Sequence, residues 1–128
     1  MKFDFNNNIP IYIQLVEYLK ILIISEKIKP SERLLSVRDF AIQLKVNPNT
    51  MQKALGELEN LKLIYTERTN GKYVTEDINL IKKFKEEYAK ELSSKYLANM
   101  ESIGFNKEEV VKYLKDLKGW LYELIRMY

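Results

Sequence analysis

The sequence predicts a mainly α-helical chain with one small β-hairpin, in the order helix, helix, helix, hairpin, helix, helix. Three observations lead there. Apolar residues recur at the 3.6-residue spacing of an amphipathic helix through much of the 128 positions. A proline flanked by asparagines, "NPNT" at Asn47–Thr50, stands where one helical run gives way to the next. A single Asn70-Gly71 pair lies between two short β-prone runs.

The first helix is expected from about Pro10 to Glu26. Proline favours a first helical turn, and Ile11, Leu15, Tyr18, Leu19 and Leu22 form an apolar face. "KIKPSERL" then breaks it, because Pro30 disfavours helix at Lys29 and lacks an N–H. Ser36 opens the second helix as a cap with Asp39 three residues later, followed by apolar Val37, Phe40, Ala41 and Leu44. It ends near Lys45. Asn47 is a good N-cap and Pro48 suits a first turn, so "NPNT" starts a third helix running to about Leu61 and burying Met51, Ala54, Leu55 and Leu58. Two short helices joined by Lys45-Val46-Asn47 make a helix-turn-helix.

Ile64–Arg68 and Lys72–Thr75 read as strands around Asn70-Gly71, a pair in which both residues tolerate φ > 0. Three helices and a hairpin form a winged helix-turn-helix, assigned to residues 1–76. Residues 77–128 form a helical region. A long helix is expected from Asp77 to about Ile103, striped by Ile81, Phe84, Tyr88, Leu92, Tyr96 and Met100, with Gly104 as its stop. Asn106 and Glu109 open a last helix carrying Leu114 and Leu117, with a break expected at Gly119. The long helix cannot cover its own aromatic stripe with the residues that remain. A second copy of the chain would, so both groups of apolar residues are assigned to dimerisation.

Composition bounds the function. Apolar residues make up 46% of the chain and charged residues 30%, as in a soluble globular protein. No apolar run approaches a membrane span and no secretory leader is seen, so a cytoplasmic protein without membrane attachment is expected. There is no cysteine and no histidine, which removes disulfides, zinc sites and thiol or imidazole catalysis together. No phosphate-cradling glycine loop is present, and no cofactor is expected. Net charge is only +3, but Lys27–Lys53 holds six basic residues against Glu32 and Asp39. Such a local excess suits a phosphate backbone.

Residues Ile9–Val74 resemble the N-terminal domain of GntR-family bacterial transcription regulators. The shared pattern is "P-I-Y-x-Q" at Pro10–Gln14, "R-L-x-S-V-R" at Arg33–Arg38, "V-N-P-N-T" at Val46–Thr50, and the Gly-aromatic-Val of the wing at Gly71–Val74. The short tail with "SIGFNKEEVVKYL" is similar to the YtrA-type subfamily, whose C-terminal part is a small helical dimerisation unit without the large effector pocket of other members. Four positions depart from the pattern. Ser31, Lys62 and Thr69 stand where glycines are usual, and Leu35 replaces a proline.

The recognition helix of such a motif enters the major groove N-terminus first, which makes Asn47, Asn49, Thr50, Gln52 and Lys53 candidates for contact with double-stranded DNA. Asn and Gln can pair with adenine, and Thr suits phosphate or a thymine methyl. Asn47 is equally a plain cap. Ser36 and Arg38 open the preceding helix; the resemblance makes Arg38 a DNA contact, with a surface ion pair to Asp39 or Glu32 as its alternative. Arg33 is a similar candidate, and Gly71 with Lys72 would bring the wing to the minor groove. The resemblance implies a non-enzymatic, homodimeric regulator, a repressor on a pseudo-palindromic operator, controlling a transporter operon. A small-molecule effector is left open. The competing reading is a winged-helix protein–protein interaction module without sequence-specific DNA binding.

Overall fold

A computed structural model describes residues 4–127 of the chain. It divides into two compact units, Met1–Lys85 and Glu86–Tyr128. Among the described residues no helix is long and apolar enough to cross a membrane.

In the first unit, α1 (Ile11–Ile24) packs on α3 (Pro48–Asn60), α2 (Val37–Leu44) packs on α3, and α3 meets β1 (Ile64–Glu67). Pro10 sits at the α1 N-cap and offers no side-chain hydrogen bond. Gln14 ties down the entry instead: its Nε2 donates to the carbonyls of Asn6 (2.6 Å) and Ile9 (2.8 Å), and its Oε1 accepts the Asn6 N–H at 2.8 Å. The buried side of α1 is Leu15, Val16, Leu19, Ile23 and Ile24, whereas Ile11 is 42% exposed. The expected face is thus rotated toward the C-terminal half. The helix ends at Ile24, two residues earlier than expected, because Glu26 turns left-handed at φ 60° ahead of Pro30.

The helix-turn-helix forms where its caps predict. Ser36 Oγ accepts the Asp39 N–H at 3.0 Å, and Lys45 ends α2 in the left-handed region at φ 56°, ψ 49°. Asn47 Oδ1 accepts the Asn49 N–H at 2.8 Å, with Pro48 in the first turn of α3. Met51, Ala54, Leu55 and Leu58 are at most 1% exposed. Burying a side chain of that size is worth roughly 1.5–3 kcal/mol, so this one face stabilises the whole unit.

β1 pairs antiparallel with β2 (Gly71–Val74) in the register Ile64↔Val74, Tyr65↔Tyr73, Thr66↔Lys72 and Glu67↔Gly71. The connection is therefore the three residues 68–70, not a two-residue turn centred on Asn70-Gly71. Gly71 takes φ +100°, while Asn70 is not among the residues at positive φ. The sequence reading also missed an isolated bridge onto β2. Arg33 bridges to Tyr73, with the Leu34 N–H donating to the Lys72 carbonyl (2.8 Å) and the Val74 N–H to the Glu32 carbonyl (2.9 Å). "PSERL" is thus a third rung of the wing as well as a helix breaker.

α4 (Ile78–Ser102) starts where the Asp77 carboxylate accepts the Leu80 N–H at 3.0 Å. Its first two turns lie in the N-terminal unit, where Ile81 is buried and Lys20 Nζ lies 5.7 Å from the Phe84 ring centre. Gly104 ends the helix region at φ +97°. Asn106 and Glu109 close a reciprocal capping box at 2.9 and 3.1 Å, opening α5 (Lys107–Met127). No break occurs at Gly119: α5 continues through it. A helical glycine costs only about 1 kcal/mol relative to alanine, which the rest of the helix absorbs.

Within the second unit, Phe105 stacks edge-to-face on Tyr113 at 5.1 Å. Leu92, Tyr96 and Leu97 of α4 line an apolar groove with Val110, Val111 and Leu114 of α5. Val110 is 4% exposed and is the one buried apolar side chain among this unit's described residues. Leu114, Leu117, Leu121 and Leu124 continue its row at steps of four, three, four and three residues, yet each is 39–51% exposed.

Candidate nucleic-acid interface

The exposed side of α3 is set by what its other side buries. With Met51, Ala54, Leu55 and Leu58 turned inward, Asn49, Gln52 and Lys53 face out and Thr50 is half-buried beside them. Asn47 is exposed too, with its side-chain oxygen engaged in capping. The helix therefore presents amide side chains at its N-terminal half, next to backbone N–H groups that favour an anion. Lys53 is less free than its position suggests: Nζ lies 3.8 Å from the ring centre of Tyr12 on α1. Tyr12 is half-buried and serves as that platform.

A second group gathers between the start of α2 and the wing. Arg33, Ser36, Gly71 and Lys72, with Val37, Asp39 and Thr66, line one open cleft of about 570 Å³. The Arg33 guanidinium lies over Gly71, 3.6 Å from where a Cβ would project. Arg38 is exposed on the first turn of α2. Among the described residues the only ion pairs are Lys20–Glu17 and Lys72–Glu59, so neither Arg33 nor Arg38 is paired with Asp39 or Glu32. Lys45, absent from the sequence-derived set, is an exposed and equally unpaired cation at the turn between the helices.

Lys72 differs from the other cations. Its Nζ sits 2.6 Å from Glu59 Oε1 and 2.9 Å from Thr66 Oγ1, and the Thr66 hydroxyl also donates to Glu59. The Lys72 bond first, then the Thr66 bond, holds the Glu59 carboxyl below its ordinary value. On the same hairpin Tyr65 stacks on Tyr73 at 5.7 Å, and partial desolvation followed by Glu76 and Glu67 pushes the Tyr65 hydroxyl up. Glu59 and Thr66 carry no motif. A carboxylate in the last turn of a helix and a threonine in a strand are linked only by the fold.

The residues assigned to dimerisation fall into two groups. Ile81 and Phe84 belong to the N-terminal unit, and Ile81 is already buried there. Leu92, Leu114 and Leu117 are 52%, 51% and 41% exposed, and Tyr88, Tyr96 and Met100 are half-buried.

The chain is similar to known bacterial regulators. Residues 11–74 match the family model described as bacterial regulatory proteins, gntR family. The chain is 31% identical over 112 residues to the uncharacterized HTH-type transcriptional regulator YhcF of Bacillus subtilis, covering 88% of this chain and 93% of that one. It is 38% identical over 77 residues to the HTH-type transcriptional repressor YtrA of the same organism, covering 60% of this chain and 59% of that one. A GntR family transcriptional regulator from Listeria monocytogenes superposes with a TM-score of 0.81 at 39% identity, over 88% of this chain and 98% of the other. The DNA-binding domain of AraR, solved in complex with operator ORR3, matches at 27% identity and a TM-score of 0.50, over 59% of this chain and 88% of the other.

Proposed function

We propose a function from one premise: the chain belongs to the GntR family of bacterial regulatory proteins. Its relatives are named transcriptional regulators rather than enzymes, and a neighbour of the same fold was solved on operator DNA. The chain is a DNA-binding transcription regulator.

The finer reading is a cytoplasmic homodimeric repressor that blocks polymerase access at a pseudo-palindromic operator. The observation that carries the DNA contact is the exposed amide-rich start of α3, flanked by Arg33, Arg38 and Lys45 without acidic partners. In this reading Asn49, Thr50 and Gln52 meet base edges, and Arg33, Arg38 and Lys45 meet phosphate or guanine. The half-exposed leucine row of α5 supports the homodimer, because a second copy would cover it. Two recognition helices on a two-fold axis require half-sites about one helical turn, roughly 34 Å, or a multiple apart. The name of the repressor YtrA supports the sign of regulation, and control of a neighbouring transporter operon rests on the subfamily resemblance of the tail alone.

The test is affinity for the intergenic DNA upstream of the chain's own gene, against random duplex, at several salt concentrations. Tighter binding to the intergenic duplex, with a log–log slope of several released counterions, is expected. Arg38→Ala should cost about 1–3 kcal/mol of binding while leaving the melting temperature unchanged. Salt-independent or absent binding would favour the protein-interaction module.

A further inference from the structure

The Glu59–Thr66–Lys72 cluster joins two elements that both approach DNA in the reading above. Glu59 lies in the last turn of α3. Thr66 and Lys72 are a cross-strand pair, one register step from the Glu67↔Gly71 pair that closes the wing loop. At its base the hairpin is already secured by buried Leu63, Ile64 and Val74 and by the rungs to Glu32 and Leu34. Two strands of four residues each do not hold a fixed angle alone. A contact near the loop end restrains that angle better than one at the base, because it acts farther from the pivot.

The same contact commits the Lys72 charge. Its ammonium reaches Glu59 and Thr66 at 2.6 and 2.9 Å, and the Lys72 side chain is only 16% exposed. An ammonium held this way is neutralised before DNA arrives, unlike Arg33 and Arg38.

We infer that Glu59, Thr66 and Lys72 form a latch fixing the wing against the recognition helix, and that Lys72 is a positioning residue rather than a phosphate contact. This rests on the DNA-binding reading. It assigns the acidic Glu59 a positive role in binding a polyanion, opposite to what its charge alone would give.

The test uses the full chain and a short random-sequence duplex, with Glu59→Gln, Lys72→Gln, the milder Thr66→Val, and the exchanged pair Glu59→Lys with Lys72→Glu. In the DNA-free protein, the single variants should speed amide exchange in residues 64–74 and leave α1 unchanged. Their duplex affinity should fall roughly threefold to tenfold, toward the lower end of the coupling that side chains in direct contact transmit. The log–log salt slope should stay at the wild-type value, and the exchanged pair should recover both readouts. A slope reduced by about one in Lys72→Gln would make Lys72 a phosphate contact and overturn the assignment. Equal or tighter binding by Glu59→Gln would overturn it too. A wild-type chain that binds no duplex at low salt would overturn the DNA-binding reading and the positioning role with it, while amide exchange would still report whether the latch holds the hairpin.

Discussion

The two units of this chain keep their apolar residues differently. In Met1–Lys85, Leu15, Phe40, Met51, Leu55 and Ile64 are at most 2% exposed and form a closed core, while Ile11, Ile13 and Ile42 stay 42–64% exposed on its surface. In Glu86–Tyr128, Leu114, Leu117, Leu121, Leu124 and Ile125 remain 39–62% exposed. An equally apolar helix therefore has two different meanings. Where three helices surround one core, apolar spacing reports folding. Where a two-helix unit leaves its row uncovered, the same spacing supports the proposed homodimer, since free surfaces seldom carry so long an apolar strip.

The largest expected effect comes from charging that strip. Leu117→Lys with Leu121→Lys removes two leucines from each copy, roughly 3–5 kcal/mol of association energy since each has a little under half its surface left to bury, and should convert a dimer to a monomer in sedimentation. The melting of the N-terminal unit should persist. If the double variant sediments like the wild type, the contrast between the units is wrong. Leu55→Ala tests the other side: it should cost about 2–5 kcal/mol in denaturant unfolding, because a fully buried side chain leaves a cavity.

Smaller effects sharpen the picture inside the N-terminal unit. Lys62 and Ser31 keep left-handed backbone, at φ 63° and 66°, although neither is glycine. Lys62→Gly should stabilise by up to about 1 kcal/mol, read as a rise in melting temperature, because a Cβ is unfavourable there. Last, acid should weaken the latch. The folded value of Glu59 is depressed below its ordinary 4.5, so its contribution is complete above that value and is lost as pH falls through the depressed one. Amide exchange in residues 64–74 should rise below about pH 4.5 in the wild type and much less in Glu59→Gln.

These contrasts explain what could be read in advance. The start of α3 was legible because Asn47 and Pro48 act within a few residues of themselves, and the buried face of α3 because its period is local. The left-handed turn at Lys45 is hidden in the sequence, since the fold imposes it on a residue that does not advertise it, whereas Ser31 and Lys62 betray theirs only by standing where the family usually has glycine. Arg33 is a candidate from the sequence, but nothing local marks its pairing with Tyr73 or the Glu59 that the fold brings beside Lys72. Gly119 misled for the reverse reason: a local signal for a break is too weak to end a helix of 21 residues.

That glycine has a thermodynamic consequence. A methyl group at position 119 would meet nothing within 4 Å, so no packing need explains its presence. Its backbone freedom lowers the helicity of a lone α5 while leaving the helix reachable once its leucines are covered. In the proposed homodimer part of the ordering cost would be met only when two copies associate, which would make that assembly less preorganised and more sensitive to protein concentration. A homodimeric regulator built this way would couple its abundance to its occupancy of DNA more steeply than a rigid dimer would.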